Sequence, residues 1–300
     1  MPARTRHTTN IRKAYAEMRI NMSYRENAAI ISTACLADGV YEMWLKQEKI
    51  AKESRPGQFI SVYSNDGSRL LPRPISICRI DDDKLRIVYR IAGKGTKEFS
   101  QMREGQTLDI QGPLGNGYDI KAIFEEAENV SVHECKDGVC TFKKEYRPVK
   151  KAILFGGGIG IPPMLELAKQ LECDTEAVLG YRDGQLFLKS EFDEYSHVTV
   201  ATEDGSVGTK GNVLDAVRQN NITGDIIFAC GPTPMLRAIK EYALSNNIPC
   251  YVSLEEKMAC GIGACLACVC KSTEKDEHSQ VNNKRVCKEG PVFNVKEVEL

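Results

Sequence analysis

From Asn27 to about Phe124 apolar and polar residues alternate in short runs. The segment 84–93, KLRIVYRIAG, has the alternation of a half-buried strand. Segment 28–47 has the pattern of a strand, an Asp-Gly turn and a second strand, and 103–120 adds a strand and a loop rich in glycine and proline. Many short strands with regularly spaced turns predict a small antiparallel β-barrel over residues 27–125.

Residues 148–255 have a different pattern. A continuous apolar run, AILFGGG at 152–158, ends in glycines and is followed by PPMLELAKQLE at 162–172, which has helical spacing and prolines in its first turn. Apolar strand-like runs and a second helical segment at 233–247 then alternate as far as residue 255. This alternation predicts a parallel α/β sheet, the architecture of a nucleotide-binding domain.

Three further segments complete the predicted domain order. Residues 126–147 carry Cys135 and Cys140 and have the pattern of a hairpin inserted between barrel and sheet, while 256–300 is rich in cysteine and glycine with little periodicity. Residues 1–26 are rich in arginine and poor in acids, which is typical of a transit peptide. The alternatives are a dispensable extension, or a start codon placed too early with Met18 or Met22 as the true start. We expect one of these two alternatives rather than a transit peptide.

Composition excludes several classes. The 300 residues suit two domains and a small third one. The net charge of −1 argues against a nucleic-acid binder that neutralises phosphates, and no run of 18 apolar residues predicts a membrane span. Twelve cysteines are more than usual, but most read as free thiols, which favours a reducing cytoplasm.

Four of the cysteines have the spacing of a metal site. Cys260, Cys265, Cys268 and Cys287 follow C-x4-C-x2-C-x18-C, and plant-type [2Fe–2S] clusters use C-x4-C-x2-C with a distant fourth cysteine. Four thiolates have to converge on two irons, so most of them must come from one short loop that bends freely. The sequence therefore predicts an iron–sulfur cluster.

Other interpretations of the cysteines stay open. A four-cysteine zinc site uses the same ligands, although such sites are usually built from paired C-x2-C knuckles, and disulfides are a third alternative. We expect Cys270 to be a bystander in the loop, and Cys135 and Cys140 to be unpaired thiols rather than a disulfide or metal ligands. The thiols that read as simple core or surface residues are Cys35, Cys78, Cys173 and Cys250.

A second group of residues is typical of flavin binding. An arginine at a fixed strand position can hold a phosphate or the electron-rich edge of a flavin, and a neighbouring serine can bond to the ring. A salt-bridged surface arginine is the plain alternative, but a Gly-Thr loop about twenty residues later strengthens the flavin interpretation. The candidate contacts are Arg73, Pro74, Ile75, Ser76, Val88, Tyr89, Arg90, Gly95 and Thr96.

Two glycine-containing turns at predicted strand ends are candidates for nicotinamide nucleotide binding. Ligands bind at the carboxyl ends of parallel strands, where glycines allow a phosphate to approach a helix N-terminus. Both Arg182 and Asp183 follow the next strand, so the motif does not choose between NAD and NADP, and ligand-free turns remain the alternative. The candidate contacts are Gly156, Gly157, Gly158, Gly160, Cys230, Gly231 and Pro232.

The order R-P-x-S, G-T, G-G-G-I-G-x-P-P and C-G-P-x-P-M-L resembles the ferredoxin–NADP reductase superfamily. The C-terminal segments CGIGACLACVC and VCKEGPVF narrow this to a resemblance to the electron-transfer subunits of type B dihydroorotate dehydrogenases, over residues 27–125 and 148–300. The resemblance implies an FAD barrel, an NAD-binding α/β domain and a [2Fe–2S] domain.

The resemblance also implies a function. An FMN-containing catalytic subunit would oxidise dihydroorotate in pyrimidine synthesis, and electrons would pass through the cluster and FAD to NAD⁺ in a heterotetramer with two copies of each subunit. No catalytic side chain is expected, because the cofactors carry the chemistry. An NAD(P)H–ferredoxin or hydrogenase-linked reductase subunit and a non-enzymatic zinc or redox-sensing module are the alternatives.

Overall fold

The N-terminal half is a closed barrel of six antiparallel strands. The computed structural model describes residues 23–300 apart from 137–138 and 276–279, and the side chains of 130–144 are outside the description. The predicted N-terminal extension therefore lies almost wholly outside the described residues. The barrel contains β1 (Tyr24–Ala37), β2 (Val40–Lys46), α1 (Glu48–Glu53), β3 (Phe59–Val62), β4 (Arg73–Asp81), β5 (Lys84–Arg90), α2 (Lys94–Phe99) and β6 (Thr107–Leu114).

The barrel closes in the order β1-β2-β5-β4-β3-β6, with β6 pairing to β1. Alternate residues point into it, as the sequence pattern predicts. Leu85 and Ile87 of β5 lie in the buried barrel core, whereas Val88 packs in a different cluster shared with the next domain. The predicted antiparallel barrel is confirmed.

A short helix and a hairpin connect the barrel to the second sheet. They are α3 (Ile120–Glu128), β7 (Asn129–Lys136) and β8 (Val139–Tyr146). The two strands pair antiparallel, which confirms the predicted hairpin, and the predicted turn at residues 137–138 lies outside the described residues. Cys135 stands opposite Cys140 in the register. Whether their thiols are free stays a prediction, because these side chains lie outside the description.

The second sheet has seven strands in the order β12-β11-β10-β9-β13-β14-β17, of which β17 (Val292–Asn294) comes from the C-terminal segment. Neighbours from β12 to β14 run parallel, and only β17 is antiparallel. The elements up to β14 are β9 (Lys151–Gly157), a 3₁₀ turn (Gly158–Gly160), α4 (Pro162–Gln170), β10 (Asp174–Tyr181), α5 (Lys189–Phe192), β11 (His197–Thr202), β12 (Thr209–Lys210), α6 (Val213–Gln219), β13 (Ile226–Cys230), α7 (Thr233–Ser245) and β14 (Cys250–Ser253).

The chain leaves β9 toward β10 on one side and later returns to place β13 on its other side. The carboxyl ends of β9 and β13 therefore flank the point where the strand order reverses. In open parallel sheets this is where a crevice forms and ligands bind. The helix that follows β9, α4, begins with two prolines at positions that need no N–H donor.

The C-terminal segment is joined to both domains. It forms β15 (Val269–Lys271), β16 (Asn283–Arg285) and β17 (Val292–Asn294), and the last of these extends the second sheet. Cys268 and Cys287 lie in one buried cluster with Phe59 of the barrel and Phe155 of the second sheet. The region of the four cysteines is therefore packed where the barrel and the sheet meet.

Candidate functional site

The four predicted ligand cysteines come together at one end of the C-terminal segment. The thiols of Cys260 and Cys265 are 3.3 Å apart. The N–H of Cys287 donates to the sulfur of Cys268 at 3.5 Å, and the N–H of Gly263 donates to the sulfur of Cys287 at 3.1 Å. Gly263 (φ +81°) and Gly261 (φ +69°) adopt the left-handed conformation that lets so short a loop turn around the sulfurs.

The loop is prepared for negatively charged sulfur. Burial disfavours the charged form of Cys260, but backbone N–H groups of the loop, Ile262 and Cys265 among them, outweigh it and lower the pKa of Cys260 to about 6. Burial and the neighbouring Cys268 thiol raise the pKa of Cys287 to about 12.

The arrangement suits two metal ions better than one. The sulfurs form two neighbouring pairs, Cys260 with Cys265 and Cys268 with Cys287. A tetrahedral zinc site needs four ligands around one point, whereas a [2Fe–2S] cluster takes two ligands on each iron. The donor set therefore fits the cluster.

The candidate flavin residues lie along the start of β4. Ile75 points into the barrel core, so the alternation turns Pro74 and Ser76 to the outer face. The Arg73 side chain lies over Gly95, where a Cβ atom would come within 2.2 Å of its Nε, and it donates to the carbonyl of Leu71 at 2.6 Å. Arg73 and the Gly-Thr turn are thus in contact at the start of β4, while Ser76 faces outward from the same strand.

The other candidate flavin residues, on β5 and in the Gly-Thr turn, are divided between the barrel core and the surface. Tyr89 is buried in the barrel core, with its ring 6.2 Å from that of Phe99. Its side chain, like that of Ile75, is therefore turned away from the outer face and leaves only backbone atoms there. Arg90 projects from the end of β5, and Thr96 caps its own turn by accepting from the N–H of Ala92 at 2.9 Å.

A cleft of about 570 Å³ lies beside Arg73 and Pro74. Its opposite wall is the segment 255–258, which directly precedes the cysteine loop, and Cys260 follows two residues after the last lining residue, Met258. A planar cofactor held by the barrel would therefore lie next to the cluster loop. The cleft fits an isoalloxazine ring with its polar edges, because its walls combine leucine, prolines and methionine with charged side chains, namely an arginine, a lysine and two glutamates.

The two predicted glycine turns meet at the reversal point of the sheet. A Cβ atom on Gly160 would lie 2.4 Å from the carbonyl oxygen of Cys230, and one on Gly157 would lie 2.6 Å from the sulfur of Met235. Glycine is required at Gly160 because its backbone touches the neighbouring turn. The structure thus brings together the predicted residues of 156–160 and 230–232.

These turns form one side of a larger cavity of about 890 Å³. Arg90 lines it from the barrel side, and Arg182, Asp183 and Glu203 line its far end. This volume suits an extended dinucleotide better than a small metabolite. Burial and the charge of Glu255 raise the pKa of Cys230, so its thiol stays neutral beside the cavity.

Sequence reasoning missed Glu255, which lines both cavities. Loss of hydration among the surrounding atoms raises its pKa, and the positive charge of Arg90 only partly opposes the shift. The one available signal was position, because Glu255 follows β14 at the carboxyl edge of the sheet and precedes the cysteine loop. A carboxyl group at this point separates the two candidate cofactor cavities.

The barrel, the parallel sheet with its crevice and the appended thiolate loop define a reductase of the ferredoxin–NADP reductase type that carries an iron–sulfur domain. A structure of an NADH-dependent reduced ferredoxin–NADP oxidoreductase superposes with a TM-score of 0.74 and 28% identity, covering 91% of this chain and 89% of that one. A ferredoxin NADP⁺ reductase from Neisseria gonorrhoeae, 14% identical, gives a TM-score of 0.57 over 74% of this chain and 91% of that one, which shows the fold.

More similar relatives give the particular family. Residues 255–299 match the model of the iron–sulfur cluster binding domain of dihydroorotate dehydrogenase B. The dihydroorotate dehydrogenase B (NAD(+)) electron transfer subunit of Fusobacterium nucleatum is 37% identical over 286 residues, 92% of this chain and 98% of its own. That of Caldanaerobacter subterraneus is 38% identical over 278 residues, 92% and 99%. The chain belongs to the family of dihydroorotate dehydrogenase B electron transfer subunits.

The family agrees with the fold and with the class of protein that the sequence predicts. A family of electron transfer subunits implies a separate catalytic subunit as partner. No helix in the described ranges is long and apolar enough to cross a bilayer. The residue-level assignments for flavin and nucleotide stay predictions.

Proposed function

We propose that this chain passes electrons from the FMN of a dihydroorotate dehydrogenase catalytic subunit to NAD⁺ in pyrimidine synthesis, using its own [2Fe–2S] cluster and FAD. The observation that carries the proposal is the position of residues 255–258. They line the flavin cleft, and Cys260, the first cysteine of the loop, comes two residues after Met258. When bound, FAD exchanges a hydride with the nicotinamide and single electrons with the cluster.

The chain's own residues bind and position the cofactors. Arg73 holds the flavin at the start of β4, beside Gly95, and the turns of Gly160 and Cys230, which pack closely against each other, hold the nucleotide at the edge of the sheet. The buried, neutral thiol of Cys230 places no charge beside the nicotinamide. No thiol or carboxyl group of the chain has to transfer a proton, because hydride exchange between the flavin and nicotinamide rings needs no side-chain acid or base.

The far end of the larger cavity favours NAD over NADP. Asp183 accepts from the N–H of Gln185 at 3.0 Å and lies 3.5 Å from Arg182, so the Arg182 guanidinium already has an acidic neighbour. Glu203 adds a second carboxylate at this end. Acidic groups accept hydrogen bonds from a ribose hydroxyl and repel a 2′-phosphate.

The exposed edge of the cysteine loop fits a protein partner. Ile262 is 50% and Leu266 68% exposed, and both lie within the loop that carries Cys260 and Cys265. Apolar side chains beside a redox centre suit a partner that must bring its own cofactor close. We propose that the catalytic subunit docks here, in an assembly with two copies of each subunit.

We also propose that the chain works in the cytoplasm, on the state of its thiols. The ten cysteines with described side chains are all free. Free thiols and a thiolate cluster persist where the surroundings are reducing, which favours the cytoplasm.

A second candidate is an NAD(P)H–ferredoxin reductase subunit. It is favoured by the TM-score of 0.74 to the ferredoxin–NADP oxidoreductase. The relatives matched over nearly their whole length favour the first candidate. Dihydroorotate-dependent reduction through the catalytic partner distinguishes the two candidates.

The proposal is tested by an anaerobic absorption spectrum of the purified chain with iron, zinc and flavin quantified. We expect flavin bands, a broad cluster shoulder and two irons per chain. We also expect rapid bleaching with NADH and much slower bleaching with NADPH. Zinc without flavin would contradict the proposal and support the non-enzymatic alternative, whereas equal rates with both nucleotides would contradict only the assignment of Asp183 and Glu203.

A further inference from the structure

One buried hydroxyl at the barrel surface is left without a partner. Among the buried side-chain oxygen and nitrogen atoms that the structure describes, only Oγ of Ser61 lacks a hydrogen-bond partner. Ser61 is 1% exposed. Because an unpaired hydroxyl in a dry site is costly, a native protein that keeps one usually has a use for it.

Ser61 lies between the flavin segment and the cysteine loop. Its neighbours Ile60 and Val62 point into the barrel core, so its own side chain points outward. In the sheet it is paired with Pro74 of the candidate flavin segment. On the outer side, a Cβ atom on Gly261 would lie 2.9 Å from the Ser61 hydroxyl oxygen. The hydroxyl thus faces the turn that begins at Cys260.

The sulfur of Cys260 already receives hydrogen bonds from the loop. The N–H of Cys265 donates to it at 3.4 Å, and further backbone N–H groups of the loop contribute. All of these donors come from the loop itself. Ser61 is the side-chain donor on the barrel side of the same turn, where the proposed flavin lies.

We propose that Ser61 is a positioning residue whose hydroxyl donates a hydrogen bond to sulfur at the Cys260 end of the bound cluster and raises the reduction potential of the cluster. The inference rests on the proposed function, because it requires the cluster to be present. Reduction adds one electron to the cluster and increases the negative charge on its sulfurs. A donor held against those sulfurs therefore stabilises the reduced form more than the oxidised form.

The test replaces the hydroxyl and measures both redox centres in one sample. Ser61→Ala removes it, and Ser61→Thr and Ser61→Val form a pair of nearly equal shape of which only threonine keeps the hydroxyl. Ser272→Ala is the matched control, because Ser272 is equally buried but its hydroxyl already donates to the carbonyl of Glu274 at 2.7 Å. The midpoint potential of the cluster is followed by electron paramagnetic resonance and that of the flavin by absorbance.

We expect a more negative cluster potential in Ser61→Ala and Ser61→Val, recovery toward the wild-type value in Ser61→Thr, and no change in Ser272→Ala. The flavin potential should stay constant throughout. The inference is overturned if the cluster potential does not move, or if only the flavin potential moves, since the hydroxyl would then serve the flavin.

If Ser61→Ala loses the cluster, the comparison of Ser61→Thr with Ser61→Val decides the inference, because threonine and valine have nearly the same shape. Equal cluster potentials in these two variants overturn the inference. A wild-type chain without iron would overturn the proposed function and this inference together, whereas an unmoved potential in an iron-loaded chain overturns the inference alone.

Discussion

The cysteine spacing predicts the positions of the ligand residues because a short loop cannot carry three thiols far apart. The thiols of Cys260 and Cys265, which are close in sequence, lie 3.3 Å apart in space. Ser61 and Glu255 could not be found in this way. Their importance comes from neighbours on distant segments, Gly261 for one and Arg90 for the other, and no local pattern contains both partners.

The same limit applies inside a motif. R-P-x-S and V-Y-R mark the flavin segment, but strand alternation decides which of their residues face outward. Ile75 and Tyr89 point into the barrel core, while Ser76 and Val88 do not. A motif assigned residue by residue therefore includes side chains that serve packing.

Cys265→Ser tests the ligand assignment. A serine oxygen is a poor substitute for thiolate sulfur, so we expect the visible cluster absorption to disappear and the iron content to fall. Cys270→Ser is the control, since the Cys270 thiol is half-buried and points to the carbonyl of Lys284 at 3.5 Å. Iron analysis and absorbance of both variants decide. Loss of the cluster from Cys270→Ser instead would show that the wrong thiol was assigned.

Arg73→Ala tests the flavin site. Loss of one charge-assisted hydrogen bond should weaken flavin binding by at least about tenfold, about 1.4 kcal/mol. The measurement is flavin occupancy after extensive dialysis. Arg25→Ala should keep its flavin, because Arg25 forms an exposed ion pair with Asp109 on another face. Full occupancy in Arg73→Ala would refute the role.

At the scale of elements, the alternating strands and helices predict the parallel sheet, and the glycine runs predict where it binds a ligand. Their convergence follows from topology, since β9 and β13 are neighbours and their carboxyl ends must meet. The seventh strand is a different case. Val292–Asn294 is three residues long, and so short a strand has too few positions to show an alternation.

Gly160→Ala tests the contact between the two turns. The added methyl would lie 2.4 Å from the carbonyl oxygen of Cys230, and backbone on both sides cannot yield cheaply. We expect KM for NADH to rise about tenfold or more in ferricyanide reduction, with flavin and cluster absorption retained. Gly67→Ala is the control, because a Cβ atom there meets nothing within 4 Å. An unchanged KM in Gly160→Ala would contradict the placement of the nucleotide.

At the scale of the molecule, a buried ion cluster fixes the barrel against the second sheet. Arg86 of β5 is bonded to Glu42 of β2 and donates to Glu191 of α5 at 2.5 Å. Nearby, the N–H of Ile80 donates to the buried carboxylate of Glu166 at 2.8 Å. The sequence could not predict the bonds of Arg86 to Glu191 and of Ile80 to Glu166, because they join positions 105 and 86 residues apart. They hold the two cofactor cavities in one relative position.

Arg86→Met tests this connection. Removing the arginine leaves the Glu42 carboxylate without its cationic partner and leaves Glu191 with the longer, 3.5 Å contact to Arg79, so we expect the free energy of unfolding to fall by about 3 kcal/mol. Equilibrium denaturation of the flavin-loaded protein measures it. Arg25→Met removes an exposed arginine and should have little effect. Similar losses in the two variants would show that the buried cluster does not stabilise the domain arrangement.

The central claim is that electrons cross this chain through the cluster. The most direct measurement mixes the chain with an FMN-containing dihydroorotate dehydrogenase catalytic subunit and follows NADH formation from dihydroorotate and NAD⁺. We predict that wild type supports the reaction, and that Cys265→Ser abolishes it while NADH–ferricyanide activity through the flavin persists. Undiminished NADH formation by a Cys265→Ser chain shown to lack iron would contradict the account.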